Sequence, residues 1–153
     1  MLRLRKPLQD DKRIIQLVKG ELIPKANSYA KGHTLEQVSQ DIPLRLKHGI
    51  TYVETDNKDQ VVGFVHIIFI PRIVLIDLLA VQSSAQRHGI GTRLMAQAEY
   101  AGRTHRCSSA ILLFDEGNEQ ARQFYERKGY RITRYMADLR CYEMEKSLVQ
   151  HFY

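Results

Sequence analysis

Between positions 74 and 92 the chain runs Val-Leu-Ile-Asp-Leu-Leu-Ala-Val, then a short polar stretch, then Gln86-Arg87-His88-Gly89-Ile90-Gly91-Thr92. A strand-length apolar run that empties into a polar loop and two glycines, with a helical pattern behind them, leaves few ways to fold. The strand is apolar on both parities except at Asp77, as expected of a central strand covered on both faces. The loop gathers unpaired main-chain N–H groups and the positive end of a helix dipole at one point, an arrangement suited to a phosphate or pyrophosphate. Without side chains, Gly89 and Gly91 allow a ligand to approach the main chain closely.

Spacing excludes two phosphate loops. A P-loop carries Lys and then Ser or Thr after its second glycine, whereas Gly91 is followed directly by Thr92. A dinucleotide fingerprint needs a third glycine at 94, where the chain has Leu94. What remains is Gln/Arg-x-x-Gly-x-Gly/Ala behind Leu79-Ala80-Val81.

The rest of the chain supplies the neighbours of this joint. Leu2 to Lys6 reads as a short edge strand. Asp10-Asp11 precede Ile14, Ile15, Leu17, Val18 and Leu22 at helical spacing. A second helix is predicted from a Thr34 cap to His48, bent at Pro43 and ended by Gly49. Residues 50–54 and 60–70 form a predicted hairpin around Asp56-Asn57-Lys58-Asp59. After Gly91, Leu94, Met95, Ala98 and Ala101 share a helical stripe, and Ala110 to Phe114 forms another buried strand, parallel to the first. Asn118 caps a short helix stopped by Gly129. Tyr130 to Tyr135 and Arg140 to Lys146 close the chain as two antiparallel strands.

At 153 residues, with 44% hydrophobic and 26% charged, the chain fits a single domain, 1–153, with a real core. No apolar stretch reaches membrane-spanning length, and the N-terminus lacks the apolar centre of a signal peptide. Cys107 and Cys141 form no Cys-x-x-Cys pair, the pattern of a reduced, cytoplasmic chain. The net charge of +6 is dispersed rather than gathered into a basic stripe with aromatics, which argues against nucleic acid as a partner. The histidines show no metal-ligand spacing, so no metal is expected.

Two segments carry a resemblance. The Gln86 to Thr92 loop behind its strand is similar to the acyl-CoA-binding motif of the GNAT superfamily of N-acetyltransferases. Asn118-Glu119-Gln120-Ala121-Arg122-Gln123-Phe124-Tyr125-Glu126-Arg127-Lys128-Gly129-Tyr130 resembles that family's Asn-x-x-Ala-x-x-Phe-Tyr-x-x-x-Gly-Phe/Tyr signature with every key position filled. The predicted order of elements is also the family's. The resemblance implies an α/β (α+β) fold: a mixed, mostly antiparallel central sheet with one parallel β-α-β unit, flanked by about four helices.

It also implies acetyl-CoA as co-substrate, an amine acceptor as partner, and in some relatives a homodimer formed through terminal strands. The cofactor-binding residues it points to are Leu79, Ala80 and Val81 along the strand, Gln86, Arg87, His88, Gly89, Ile90, Gly91 and Thr92 in the loop, and Asn118, Arg122 and Tyr125. Tyr125 is the implied general acid for the leaving thiolate. The chain departs from the family where many relatives carry a strand Glu, since Leu75 stands there. Asp77, Glu54 and His66 are then the candidate bases, and Asp77 equally suits a hydrogen bond to nearby backbone. The acceptor pocket would draw on roughly Pro24 to Gly32 and Tyr135 to Tyr142, including Tyr29. Two functions remain open at this point: direct transfer of an acetyl group to a primary amine, or a non-catalytic acetyl-CoA-binding module that regulates a partner protein.

Overall fold

The computed structural model describes residues 1–25 and 35–149; Tyr29, Thr34 and most of the Pro24 to Gly32 segment lie outside them. Among the described residues, seven strands form one sheet: β1 (Leu2–Leu4), β2 (Ile50–Thr55), β3 (Val61–Ile70), β4 (Ile73–Val81), β5 (Ser109–Asp115), β6 (Arg131–Met136) and β7 (Cys141–Ser147), in the order β1-β2-β3-β4-β5-β7-β6. Every pairing is antiparallel except β4 with β5, which α3 (Ile90–Thr104) connects as a crossover. Helices α1 (Pro7–Leu17), α2 (Leu35–Leu46) and α4 (Glu119–Arg127) complete the mixed α/β fold expected from the pattern.

One irregularity in β4 organises the molecule. Alternate residues of a regular strand share a face. Here Val74 and Ile76 pack into a core with Leu94, Met95 and Ala98 of α3, while Leu78 and Ala80 pack with Ile14 and Leu17 of α1 and Ile42 and Leu46 of α2. The inversion comes from a bulge: Ile67 of β3 pairs with Ile76 and His66 with Leu78, so Asp77 is the extra residue. Beyond it, Leu79 and Val81 turn towards the α3 side. A strand apolar on both parities thus serves two cores in succession along its length, on opposite faces.

The same place is where two neighbours part. The parallel ladder joins Ile73 to Ile76 with Ser109 to Leu112 and ends there, although β5 continues to Asp115 against β7. From Asp77 to Val81 the β5-facing edge of β4 is open. The Gln82 N–H donates to Val62 O of β3 at 2.8 Å, so strand alternation points the main-chain groups of Leu79 and Val81 towards the opening.

Local chemistry explains most boundaries. The first helix starts at Pro7, earlier than Asp10-Asp11 had suggested, because proline at N1 gives up no helical hydrogen bond. It then runs into a π-helical turn, Val18–Leu22, that apolar spacing does not reveal. Helix α2 retains Pro43 within its span. The Asn118 side chain caps α4 by accepting from the Ala121 N–H at 3.2 Å, and Gly129 ends that helix region at φ +95°.

Asp10, 1% exposed, accepts from the Arg3 guanidinium at 2.7 and 2.9 Å and from the Lys6 N–H at 2.7 Å. Burial pushes its carboxyl up, but Arg3 and the Lys6 N–H outweigh that and hold it below the ordinary carboxylate range. A depressed folded-state value stabilises above the unfolded carboxyl's titration and loses that contribution as pH falls through the folded one. Asp10→Asn is therefore expected to cost about 3 kcal/mol at neutral pH in denaturant melts. The gap between variant and parent should shrink as pH falls below about 4, where the unfolded carboxyl takes up its proton.

Candidate active site

The opening between β4 and β5 widens into a cleft of about 570 Å³. One wall is β4 from Leu75 to Val81, followed by Gln86, Arg87 and Gly89 to Thr92. The facing wall is Leu113 to Asp115 of β5, with Asn118, Phe124 and Tyr125 beyond it. Of the cofactor-binding residues selected from the sequence, two fall outside this lining. The His88 side chain is exposed, and its carbonyl accepts from Arg93 at 3.2 Å. Arg122 lies on α4 between Glu119 and Glu126, at 3.5 and 3.4 Å.

The loop is built to present main chain. Arg87 has φ +70° and Gly89 φ +76°, and Gly89 starts α3 with no side-chain cap and no acidic residue in the first turn. Among the described residues, the first N–H groups of α3 therefore have neither intrahelical nor side-chain capping partners. Gly91 serves a different purpose. A β-carbon there would stand 3.2 Å from Cζ of Phe124, so the absent side chain lets the α4 wall close against the start of α3. Val81 O, on the open edge, accepts from the Gln86 side chain at 2.9 Å.

Tyr125 is held between rings, 5.2 Å from Phe124 and 6.0 Å from Tyr130 by centroids. Its hydroxyl has no hydrogen-bond partner among the described residues. Desolvation pushes the phenol up to about 12, so it keeps its proton throughout the neutral range.

Three candidate bases have distinct surroundings. Asp77 lies in the cleft, but both its oxygens are taken: Arg45 of α2 donates from Nε and Nη2 at 2.8 and 2.7 Å. Its partner is a guanidinium rather than backbone. Glu54 is buried outside the cleft lining, bonded through Oε1 to Arg93 at 3.0 and 2.8 Å. His66 is fully buried between Thr51 Oγ1 at 2.8 Å and His48 O at 2.9 Å, and burial lowers its tendency to take a proton.

Among the acceptor-side tyrosines, Tyr142 stacks on Phe114 at 5.3 Å and Tyr135 leans on Tyr142 at 4.8 Å, outside the cleft lining. Leu139 and Cys141 line the cleft from that hairpin instead. Glu21, Leu22 and Arg45 also reach the cleft, yet the sequence singles none of them out. Glu21 and Leu22 belong to the π-helical turn and Arg45 to α2, and their place on the cleft depends on how these elements pack on the sheet rather than on any local motif.

The acetyltransferase (GNAT) family matches this chain over residues 18–130. A curated relative named "Probable N-acetyltransferase Rv2775", from Mycobacterium tuberculosis, is 42% identical over 62 residues, which is 40% of this chain and 34% of the relative. Another, the uncharacterized protein YxbD of Bacillus subtilis, is 30% identical over 83 residues, 54% of this chain and 51% of its own. The matches thus span about a third and about half of these relatives' lengths. Among solved structures, Ard1 from Thermoplasma volcanium superposes with a TM-score of 0.77 at 22% identity, covering 98% of both chains. An aminoglycoside 6'-N-acetyltransferase complexed with coenzyme A gives 0.79 at 16% identity, covering 99% of this chain and 98% of that one. The chain belongs to the GNAT acetyltransferase family.

Proposed function

We propose that this GNAT-family chain transfers an acetyl group from acetyl-CoA to a primary amine by direct attack, with both substrates held in the cleft between β4 and β5. The observation that carries the reading is that three features border one cleft: the main chain of the Arg87 to Thr92 turn, the open edge of β4 at Leu79 and Val81, and the Tyr125 hydroxyl, which has no hydrogen-bond partner among the described residues. A long molecule whose extended arm joins a thioester to a pyrophosphate fits that order. The complex of a similarly folded acetyltransferase with coenzyme A supports the choice of ligand.

The thioester supplies an activated acetyl group; the remaining tasks fall to the protein. The N–H groups of the loop and the first turn of α3 face the paired negative charges of the pyrophosphate. The main-chain N–H groups on the open edge of β4 donate to the carbonyl oxygen as negative charge develops there. Tyr125, protonated at neutral pH, donates its hydroxyl proton towards the departing sulfur. No covalent enzyme intermediate is needed, and both cysteines are buried with thiols pushed up by desolvation.

Asp77 acts in this scheme by fixing Arg45 on the acceptor side of the bulge. Its two oxygens are spent on the guanidinium, so proton removal from the amine falls to solvent. Asp77→Asn keeps one carbonyl oxygen for Arg45 and is expected to lower kcat/KM by less than about tenfold, whereas loss of a general base costs about a hundredfold or more.

The function is tested by following release of free coenzyme A thiol with a broad panel of amines. Acetyl-CoA-dependent release with at least one amine, together with the acetylated product by mass, is the expected result. Tight cofactor binding without turnover on any amine would favour the regulatory binding module over the enzyme.

A further inference from the structure

The loop that begins the proposed cofactor site is gripped from outside by the first helical layer. Glu21, on the π-helical turn that prolongs α1, lies on the cleft wall. Its Oε1 accepts from the Ser83 N–H at 3.0 Å and from the Ser83 hydroxyl, while Oε2 stands 3.5 Å from the Gln86 amide nitrogen. That same nitrogen donates to Val81 O at 2.9 Å. On the other side, Arg13 of α1 donates from Nε to Val61 O at 3.1 Å and from Nη2 to the Gln82 side-chain oxygen. The Gln82 amide in turn donates to Ser84 Oγ at 2.6 Å.

Two side chains of one helix and its extension therefore hold Gln82 and Ser83 from either side, immediately before the loop turns through Arg87 and Gly89. A carboxylate is well suited to this grip, since its oxygens accept several N–H and O–H bonds at once. Glu21 sits within the π-helical turn itself, and such turns frequently mark functional sites.

We propose that Glu21 is a positioning residue for the cofactor, setting the path of the Ser83 to Gln86 segment so that the following N–H groups converge on the pyrophosphate. This rests on the acetyl-CoA reading of the cleft and extends it. Because Glu21 acts through the loop, its contribution should appear only with ligands that carry the pyrophosphate. Coenzyme A carries it and pantetheine does not, although both share the arm that runs along β4.

The test is calorimetric titration of both ligands into the parent protein, Glu21→Ala, Glu21→Gln and Ser83→Ala, with thermal melts alongside. Glu21→Ala is expected to weaken coenzyme A about tenfold, the scale of one charge-assisted hydrogen bond, and to leave pantetheine within about twofold. Glu21→Gln keeps an acceptor for the Ser83 N–H and should recover part of the loss. In turnover assays the loss should fall on KM for acetyl-CoA, with kcat at saturation little changed. Equal weakening of both ligands, or unchanged coenzyme A affinity, would overturn the proposal. If Glu21→Ala does not fold, the same comparison on Glu21→Gln and Ser83→Ala decides, with a selective loss of coenzyme A affinity supporting it. Failure of the parent protein to bind coenzyme A would instead refute the cleft assignment itself, a result distinct from any of these.

Discussion

Replacing Tyr125 by Phe is expected to lower kcat by about a hundredfold or more while leaving the Kd for coenzyme A within about threefold. The substitution is clean because the ring stays. Its packing against Phe124 and Tyr130 is preserved, and no hydrogen bond among the described residues is broken. Only the hydroxyl at the cleft surface is removed. Since burial pushes that phenol up to about 12, its acid form persists as pH rises and is lost only near that value. The kcat profile of the parent should accordingly show no alkaline decline assignable to Tyr125 near pH 10, where an exposed tyrosine titrates. A decline there that vanishes in Tyr125→Phe would contradict the desolvated environment, and unchanged kcat in the variant would remove Tyr125 from the chemistry.

Gly91→Val should produce the largest loss of cofactor affinity, about a hundredfold by calorimetry. Any β-carbon at 91 meets Phe124 at 3.2 Å, and the two further methyls of valine force the ring aside or project into the cleft. Overpacking of this kind also costs about 1–3 kcal/mol of stability, which a melt would register. Gly91→Ala separates the two effects, because the contact is with the far end of the Phe124 ring, which can give by a few tenths of an ångström. Its affinity should lie between those of parent and valine variant. If the valine variant bound coenzyme A like the parent, the start of α3 would not be the phosphate site.

The parts legible in the sequence are those carried by local rules. Asn118 and Gly129 bracket α4 through capping and a left-handed turn, and Gly89 and Gly91 mark the loop by what they lack. The parallel β4–β5 pair follows from a helical stripe between two apolar runs. What stayed hidden depends on register and on distant partners. Nothing in Val74 to Val81 announces that the strand skips a residue at Asp77, because an apolar run reads the same from either face. That bulge decides which side chains face α3 and which face α1 and α2. The pairing of Asp77 with Arg45 joins residues 32 positions apart, and that of Glu21 with Ser83 joins residues 62 apart, so neither leaves a local signature. Tyr135 and Tyr142 suit a pocket wall as well as a stacked cluster, and only the sheet's facing puts Tyr142 against Phe114 and Tyr135 against Tyr142.

The bulge at Asp77 also gives a physical reason for the location of the site. A central strand normally spends both edges on its neighbours. Here the ladder to β5 ends at Ile76, immediately before the bulge, and five residues of β4 retain an open edge inside the molecule. Main chain left unpaired in a sheet interior needs a partner. An extended ligand lying between the strands would supply one, in the place a further strand would occupy.

A crystal structure of the protein with coenzyme A tests this most directly. Both phosphoryl groups should lie about 3 Å from main-chain nitrogens within Arg87 to Thr92, with the arm along Leu79 to Val81 and the sulfur facing Tyr125. Coenzyme A bound elsewhere on the surface, or in the cleft with its pyrophosphate away from that loop, would contradict the account.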